Sequence, residues 1–168
     1  TGSAGFKAWL NEMPSKTPPV LARFQKNHSK RNDQAVSAEI NQCGRFLSQG
    51  QYLFHGGLWP GGANLVTTRP LSMSFSPVVA FQDALREGNA YNANRLDLWV
   101  LRAVAPKTNA FVFKQSGTSL GHEKEVLLAS GASLTRVSET LMRDDFQAQN
   151  AYGPTKPIPI HVLEINVS

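Results

Sequence analysis

Residues 121–128 read GHEKEVLL, a short polar segment that leads directly into an apolar one. Side chains alternate between the two faces of an extended strand, so Glu123 and Glu125 would lie on the same face. Two like charges at the start of a core strand are unfavourable unless they face a cleft, a ligand or a basic partner. The spacing therefore predicts a pair of site carboxylates, and it leaves a solvated strand end open as the alternative.

The length and composition of the chain indicate one globular unit. It has 168 residues, of which 41% are hydrophobic and 17% charged, as in folded rather than disordered proteins. We therefore predict one domain over residues 1–168, with a helical part at about 3–50 and a β core at about 51–168. Apolar runs are too short to cross a bilayer and the first residues lack a signal-peptide pattern, so we expect no membrane partner.

The charge balance favours an acidic partner. The net charge is +5 and the pI is about 9.6, which suits nucleic acid, nucleotide phosphates or an acidic protein. The densest basic cluster is Lys26, Lys30 and Arg31, and no aromatic residues interleave with it. We interpret it as a solvated helix end in preference to a nucleic-acid patch, which stays open as the alternative.

The cysteine and histidine pattern argues against a metal site. The single Cys43 has no second cysteine nearby, and the four histidines are scattered along the chain. His122-Glu123 does not begin a zinc-protease motif, because position 126 is Val rather than His. We expect no metal.

The N-terminal third has helical periodicity and then changes to strand periodicity. A proline-rich turn at residues 14–19 interrupts the helices. Asp33 is a candidate cap for the last helix, and Gly50 suits its end. Residues 51–55 then read as a short strand that places His55 directly before Gly56, where a bare backbone lets a ligand approach the main-chain N–H groups.

Residues 70–77 read PLSMSFSP and predict a strand followed by a helix. Ser72 and Ser74 share one face of this strand, Ser76 is a candidate helix cap, and the helix would run over residues 78–87. The loop at 88–95 is polar and flexible by composition. It carries Tyr91 and Arg95, an aromatic ring and a cation that could reach a phosphate-bearing ligand.

Strand patterns dominate the rest of the chain. They cover residues 96–104, 110–113, 123–129, 133 to about 142, and 158–167, and a Gly/Ser-rich loop precedes Glu123. This order predicts an α+β protein, with helices first and a mostly antiparallel sheet afterwards.

Three segments in chain order resemble the signature segments of the mono-ADP-ribosyltransferase toxins and effectors. They are the aromatic-His55-Gly56 strand end, Ser72-Met73-Ser74 and Glu123-Lys124-Glu125. The family pattern has Arg rather than His at the first segment in its Arg-Ser-Glu class, and Thr at the middle of the second. His55-Gly56 is instead similar to the His-Gly of diphtheria-toxin-like and poly-ADP-ribose polymerase enzymes.

The resemblance implies a fold, a substrate and a role for each site residue. N-terminal helices would pack on a split, mostly antiparallel β core of the ADP-ribosyltransferase type that binds NAD. Glu125 would bind a ribose hydroxyl and stabilise the oxocarbenium-like state, and Glu123 would orient or deprotonate the acceptor. The NAD-binding set would be His55, Gly56, Ser72, Ser74, Tyr91 and Arg95.

The activity that the resemblance implies is transfer of ADP-ribose from NAD to a protein side chain by a secreted bacterial effector in the cytoplasm of a host or target cell. Glu-x-Glu is similar to the arginine-modifying branch, whereas the His leaves room for effectors that modify threonine on host ubiquitin. Two alternatives remain open: NAD glycohydrolysis, in which water is the acceptor, and a catalytically silent or nucleic-acid-binding domain on the same fold.

Overall fold

The fold of the chain is described by a computed structural model that covers residues 9–26, 32–113, 125–150 and 152–168. Residues 9–12 are helical. The remaining helices are α1 (Pro19–Lys26), α2 (Asp33–Cys43), α3 (Pro77–Leu85) and α4 (Asn89–Ala93), with a 3₁₀ turn at Arg86–Gly88. The strands are β1 (Arg45–Phe46), β2 (Tyr52–Gly56), β3 (Asn64–Val66), β4 (Leu71–Ser74), β5 (Leu96–Ala103), β6 (Asn109–Val112), β7 (Glu125–Leu128), β8 (Ser133–Asn150) and β9 (Gly153–Val167).

The described strands form one sheet in the order β1-β6-β7-β4-β2-β5-β9-β8-β3. Only the β5–β9 pair is parallel among these strands, so the prediction of an α+β protein with a mostly antiparallel sheet is confirmed. β2 and β4 share a single register pair, Phe54 with Ser74. The sheet divides at this point into a β1-β6-β7-β4 half and a β2-β5-β9-β8-β3 half.

Two helix boundaries differ from the sequence-based expectation. Asn32, not Asp33, caps α2, because its side-chain oxygen accepts a hydrogen bond from the N–H of Ala35 at 3.1 Å. The helix ends at Cys43, well before Gly50, and β1 follows directly. Gly44 permits this turn because a Cβ there would lie 2.6 Å from the carbonyl oxygen of Ala110 on β6.

Two loop predictions are also corrected. Part of the expected flexible loop at 88–95 is helical, since α4 forms there and Asn94 ends it in the left-handed region at φ 58°. β8 continues to Asn150 instead of ending near residue 142, and β9 begins at Gly153 instead of residue 158. The two strands make a long hairpin. Register shifts interrupt the pairing at several points, whereas Pro157 lies in a regular stretch opposite Gln147.

The main core lies where α1 and α2 meet the sheet, and both halves of the sheet contribute to it. Phe111, Val126 and Leu127 are fully buried in it, as are Leu21 and Ile40 from the two helices. A second buried cluster lies under the hairpin and contains Leu96, Ile158 and Ala90. Strand β7, the second half of the GHEKEVLL segment, is buried along its whole length and holds Glu125 at its start.

Candidate functional site

Strand β7 begins at Glu125, and its pairing with β4 sets the geometry of the site. Glu125 lies directly opposite Ser74, and Leu127 lies opposite Ser72. Because paired residues and alternate residues share a face, the carboxylate and both hydroxyls lie on one face. The predicted hydroxyl edge and the predicted catalytic carboxylate are thus neighbours.

The Glu125 carboxylate is held by a serine. The residue is only 7% exposed, and its Oε1 accepts a hydrogen bond from the hydroxyl of Ser72 at 3.1 Å. A carboxylate in a poorly solvated position is oriented strongly by each donor that it retains. This pair fixes the direction in which Glu125 presents its charge.

His55 joins the same serine through the main chain. Its Nδ1 lies 2.6 Å from the carbonyl oxygen of Ser72, and because a carbonyl only accepts, Nδ1 carries the proton. Burial lowers the pKa of His55, and the hydrogen bond to Ser72 opposes this only in part. The imidazole is therefore neutral near pH 7, and its Nε2 is the acceptor nitrogen.

The imidazole fills the opening between the two halves of the sheet. β2 and β4 are paired only at Phe54, so the strands separate beyond it and the ring reaches across the gap to Ser72. On its other side the His55 ring contacts Trp99, with ring centroids 4.5 Å apart. His55, Ser72 and Glu125 are thereby brought together from three different strands.

The two glycines after His55 are needed for close packing. A Cβ on Gly56 would lie 2.0 Å from the carbonyl oxygen of Ala80, so α3 rests directly on the backbone of β2. A Cβ on Gly57 would lie 2.8 Å from Nε2 of His55. The backbone at this strand end therefore forms part of the wall around the imidazole.

Helix α3 begins as the sequence predicts. The hydroxyl of Ser76 accepts a hydrogen bond from the N–H of Val79 at 3.4 Å, and Pro77 occupies the first turn. The hydroxyl of the buried Ser74 accepts from the N–H of Ser76 at 3.0 Å. Ser74 thus supports the turn into α3, and its predicted contact with NAD remains a prediction.

Tyr91 and Arg95 make other contacts. The ammonium of Lys156 lies 3.9 Å from the ring centroid of Tyr91, which ties α4 to the hairpin. The guanidinium of Arg95 binds the carboxylates of Asp97 and Glu139. Burial disfavours its charge, but the two carboxylates outweigh burial and raise the pKa of Arg95.

An open cavity of about 320 Å³ lies beside this ion pair. Its lining includes Gly57, Asn89, Arg95 and Asp97. Arg95 therefore faces a space that a ligand could enter, and its predicted role as an NAD contact stays a prediction, as does that of Tyr91.

The structure does not describe one of the predicted site residues. Glu123 falls in residues 114–124, which are outside the described residues, so the Glu123–Glu125 face is a sequence-based prediction only.

In the described ranges, no group of three or more His, Cys, Asp or Glu side chains is arranged to hold a metal ion. None of the described helices is long and apolar enough to span a bilayer.

Sequence patterns did not single out Asp97 and Trp99 on β5. Asp97 is 2% exposed, and its carboxylate binds Arg95 and the main chain of Trp59. The available signal was the strand sequence LDLWVLRA, in which one acidic residue interrupts an apolar run. A charged side chain inside a buried strand is stable only with hydrogen-bond or ionic partners. A single acidic residue in an apolar strand sequence therefore indicates such partners.

Comparison with known proteins identifies the fold but no sequence family. No protein-family model matches the sequence. No curated protein matches it either. Solved structures do match across nearly the whole chain.

The matching structures are ADP-ribosyltransferase toxins. Plx2a from Paenibacillus larvae is 11% identical with a TM-score of 0.58, and the match covers 99% of this chain and 92% of Plx2a. C3larvin from the same organism is 13% identical with a TM-score of 0.54, and the match covers 100% of this chain and 94% of C3larvin. The toxin BECa of a C. perfringens binary enterotoxin, solved with NADH, is 13% identical with a TM-score of 0.57, covering 99% of this chain and 46% of BECa.

This chain therefore has the fold of the ADP-ribosyltransferase toxins, as the three sequence segments predicted. It spans about half the length of BECa and nearly all of Plx2a and C3larvin. At these identities the likeness establishes the fold, and the chemistry has to be argued from the side chains of this chain.

Proposed function

We propose that this protein transfers ADP-ribose from NAD to a side chain of a target protein and releases nicotinamide. The observation that carries the proposal is the buried Glu125, oriented by the hydroxyl of Ser72, whose carbonyl also holds the neutral His55. The fold supports it, and a solved structure of the same fold, BECa, contains NADH.

The chemistry requires a fixed negative charge beside the ribose. In the reaction the bond between ribose C1′ and the nicotinamide nitrogen breaks, and its electron pair leaves with nicotinamide. Positive charge develops on C1′ and the ring oxygen, and a preorganised carboxylate stabilises it. Glu125 would supply that charge, while Glu123 would take the proton from the acceptor as the new bond to C1′ forms.

The binding of NAD would use the end of β2. Nε2 of His55 would accept a hydrogen bond from a ribose hydroxyl, because its proton lies on Nδ1. The main chain of Gly56 would bind the nicotinamide carboxamide. Ser72 and Ser74 would position Glu125 and the turn into α3, and Tyr91 and Arg95 would contribute from the phosphate side.

The acceptor and the cellular setting are also proposals. We propose an arginine or a threonine as the acceptor, the latter on host ubiquitin, with the protein acting as a secreted bacterial toxin in the cytoplasm of another cell. The net charge of +5 supports an acidic protein target. We further propose that residues 1–168 act as one catalytic domain, since the match covers 92% of Plx2a.

The proposal is tested by incubating the protein with labelled NAD and a eukaryotic lysate. Labelled protein bands that disappear with Glu125→Ala would support transfer, and mass spectrometry would then identify the acceptor residue. Nicotinamide release without labelled protein would replace transfer with glycohydrolysis. If neither occurs and titration detects no NAD binding, the proposal is wrong.

A further inference from the structure

The segment after His55 is a glycine-rich turn. Residues 57–62 read GLWPGG, and Gly61 and Gly62 adopt positive φ angles of 107° and 73°. Such a segment loses much conformational entropy when it is ordered, so it needs contacts from outside itself. Within the turn, the indole N–H of Trp59 donates to the carbonyl oxygen of Gly62 at 2.9 Å, and strand β5 supplies further contacts.

Asp97 of β5 holds the turn at two main-chain positions. Its carbonyl oxygen accepts from the N–H of Gly57 at 3.1 Å, and its Oδ2 accepts from the N–H of Trp59 at 3.0 Å. Its Oδ1 accepts from Nε of Arg95 at 2.5 Å. A carboxylate that is 2% exposed is thus satisfied by two N–H donors, and one of them belongs to the turn.

Trp99, two residues further along β5, holds the turn and the imidazole together. It lies directly opposite His55 in the strand pairing, and its ring contacts the His55 ring at 4.5 Å. Its indole Nε1–H donates to the carbonyl oxygen of Gly57 at 2.9 Å. The same ring meets the buried Trp59 edge-on, with centroids 5.2 Å apart.

We propose that Asp97 and Trp99 are positioning residues for NAD, which fix the Gly56–Gly57 main chain and the Nε2 edge of His55 in their binding orientation. This inference rests on the proposed function. The turn packs closely against the imidazole, because a Cβ on Gly57 would lie 2.8 Å from Nε2 of His55. Displacing the turn therefore displaces both parts of the proposed nicotinamide-ribose site.

Trp99→Phe is the decisive variant, because it keeps an aromatic ring at this position and removes the donor to Gly57. It also shortens the buried ring, which is why the matched control replaces another buried tryptophan in the same way. We expect the dissociation constant and KM for NAD to rise about threefold to tenfold, as for the loss of one hydrogen bond, with kcat changed by less than about twofold. A merely structural role would lower the folded fraction, and thus the apparent kcat, without changing KM.

The matched control is Trp9→Phe. Trp9 is also buried, it packs against Phe75, and its Nε1 has no hydrogen-bond partner in the described part of the chain. We expect its KM for NAD to equal that of the wild type. An equal rise in both variants would overturn the inference.

Asp97→Asn gives a second readout that does not depend on NAD. We expect the amide proton of Trp59 to exchange faster with solvent, because Oδ2 no longer accepts from it as a charged group. If the wild type binds NAD and Trp99→Phe binds it equally tightly, the positioning role is wrong while the proposed function stands. If the wild type binds no NAD, the proposed function fails and the positioning role fails with it.

Discussion

The hydroxyl of Ser72 donates to Oε1 of Glu125 at 3.1 Å, although the two residues are 53 positions apart in the chain. The contact is diagonal across β4 and β7, because Glu125 lies opposite Ser74 in the register. The second and third signature segments of the sequence therefore meet as a pair of side chains. The first segment joins them through the bond between His55 and the Ser72 carbonyl.

Glu125→Gln should abolish most of the activity without unfolding the site. The amide has the shape of the carboxylate and can still accept from Ser72, but it carries no charge to stabilise the oxocarbenium-like state. We expect nicotinamide release to fall at least about 100-fold, with NAD affinity changed by less than about threefold. Steady-state kinetics and an NAD titration measure the two quantities.

The control for this variant is Glu164→Gln. Glu164 is an exposed carboxylate on β9 that also accepts from a serine hydroxyl, that of Ser138, at 2.8 Å. It should retain wild-type activity. Activity in Glu125→Gln close to that of the control would contradict the assignment of Glu125.

Ser72→Ala should lower kcat selectively. The substitution removes the hydroxyl that orients Glu125 and leaves the carbonyl that binds His55. We expect kcat to fall about threefold to tenfold, the effect of one hydrogen bond, while KM for NAD stays nearly constant. Ser138→Ala removes the equivalent donor from Glu164 and should have no effect; a loss of the same size there would show that the change is not local.

Local patterns were sufficient to predict much of the fold and part of the arrangement around Glu125. Ser76 and Pro77 start α3 as expected, and strand alternation placed Ser72 and Ser74 on one face. Each of these features depends on a few consecutive residues, and the order of the three segments then indicated the fold. The sequence could therefore predict that His55, Ser72 and Glu125 lie close together, while their roles stay predictions.

Long-range contacts explain what the sequence could not predict. Arg95 binds Glu139, which is 44 positions away, and nothing local to Arg95 distinguishes that partner from a phosphate. The hairpin of β8 and β9 also extends through Pro157, which reads as a loop residue, because Pro157 pairs in register with Gln147 on the neighbouring strand. Asp97 was missed for the same reason, since its partner Trp59 is 38 positions away.

His55 should make stability depend on pH below neutrality. Burial lowers its pKa from 6.5, so between 6.5 and the lower folded-state value the unfolded chain binds more protons than the folded one. The free energy of unfolding should therefore decrease as pH falls below about 6.5, by at most about 1.4 kcal/mol per pH unit from this group.

His55→Gln should remove this part of the pH dependence. The other three of the four histidines are unchanged in the variant, so their contributions cancel when the two proteins are compared. Urea unfolding at a series of pH values measures both slopes. Identical slopes would mean that His55 has no lowered pKa in the folded protein.

Gly56→Ala should destabilise the protein. The added methyl would lie 2.0 Å from the Ala80 carbonyl oxygen and 2.7 Å from the Ala84 Cβ, so α3 would have to move away from β2. We expect a loss of about 1–3 kcal/mol in the free energy of unfolding. Gly153→Ala is the control, since its nearest atom is 3.8 Å away and its effect should stay within about 0.5 kcal/mol.

Arg95→Gln should destabilise the protein by leaving the Asp97 carboxylate without its cation. Asp97 is 2% exposed, and the Arg95 side chain is 35% exposed. We expect a loss of about 2–3 kcal/mol, less than for a fully buried pair because water screens the guanidinium. Arg136→Gln, which removes only the contact with Glu139 at 3.2 Å, should cost less than about 1 kcal/mol.

Steady-state kinetics of Arg95→Gln distinguish two roles of Arg95, as the charge partner of carboxylates and as a ligand of NAD. If the guanidinium only neutralises Asp97 and Glu139, the folded variant should lose stability with little change in the KM for NAD. If it also binds a phosphate of NAD from the cavity that it lines, KM should rise even at temperatures where the variant is fully folded. Equal stability of Arg95→Gln and Arg136→Gln would contradict the role of Arg95 as the charge partner of buried Asp97.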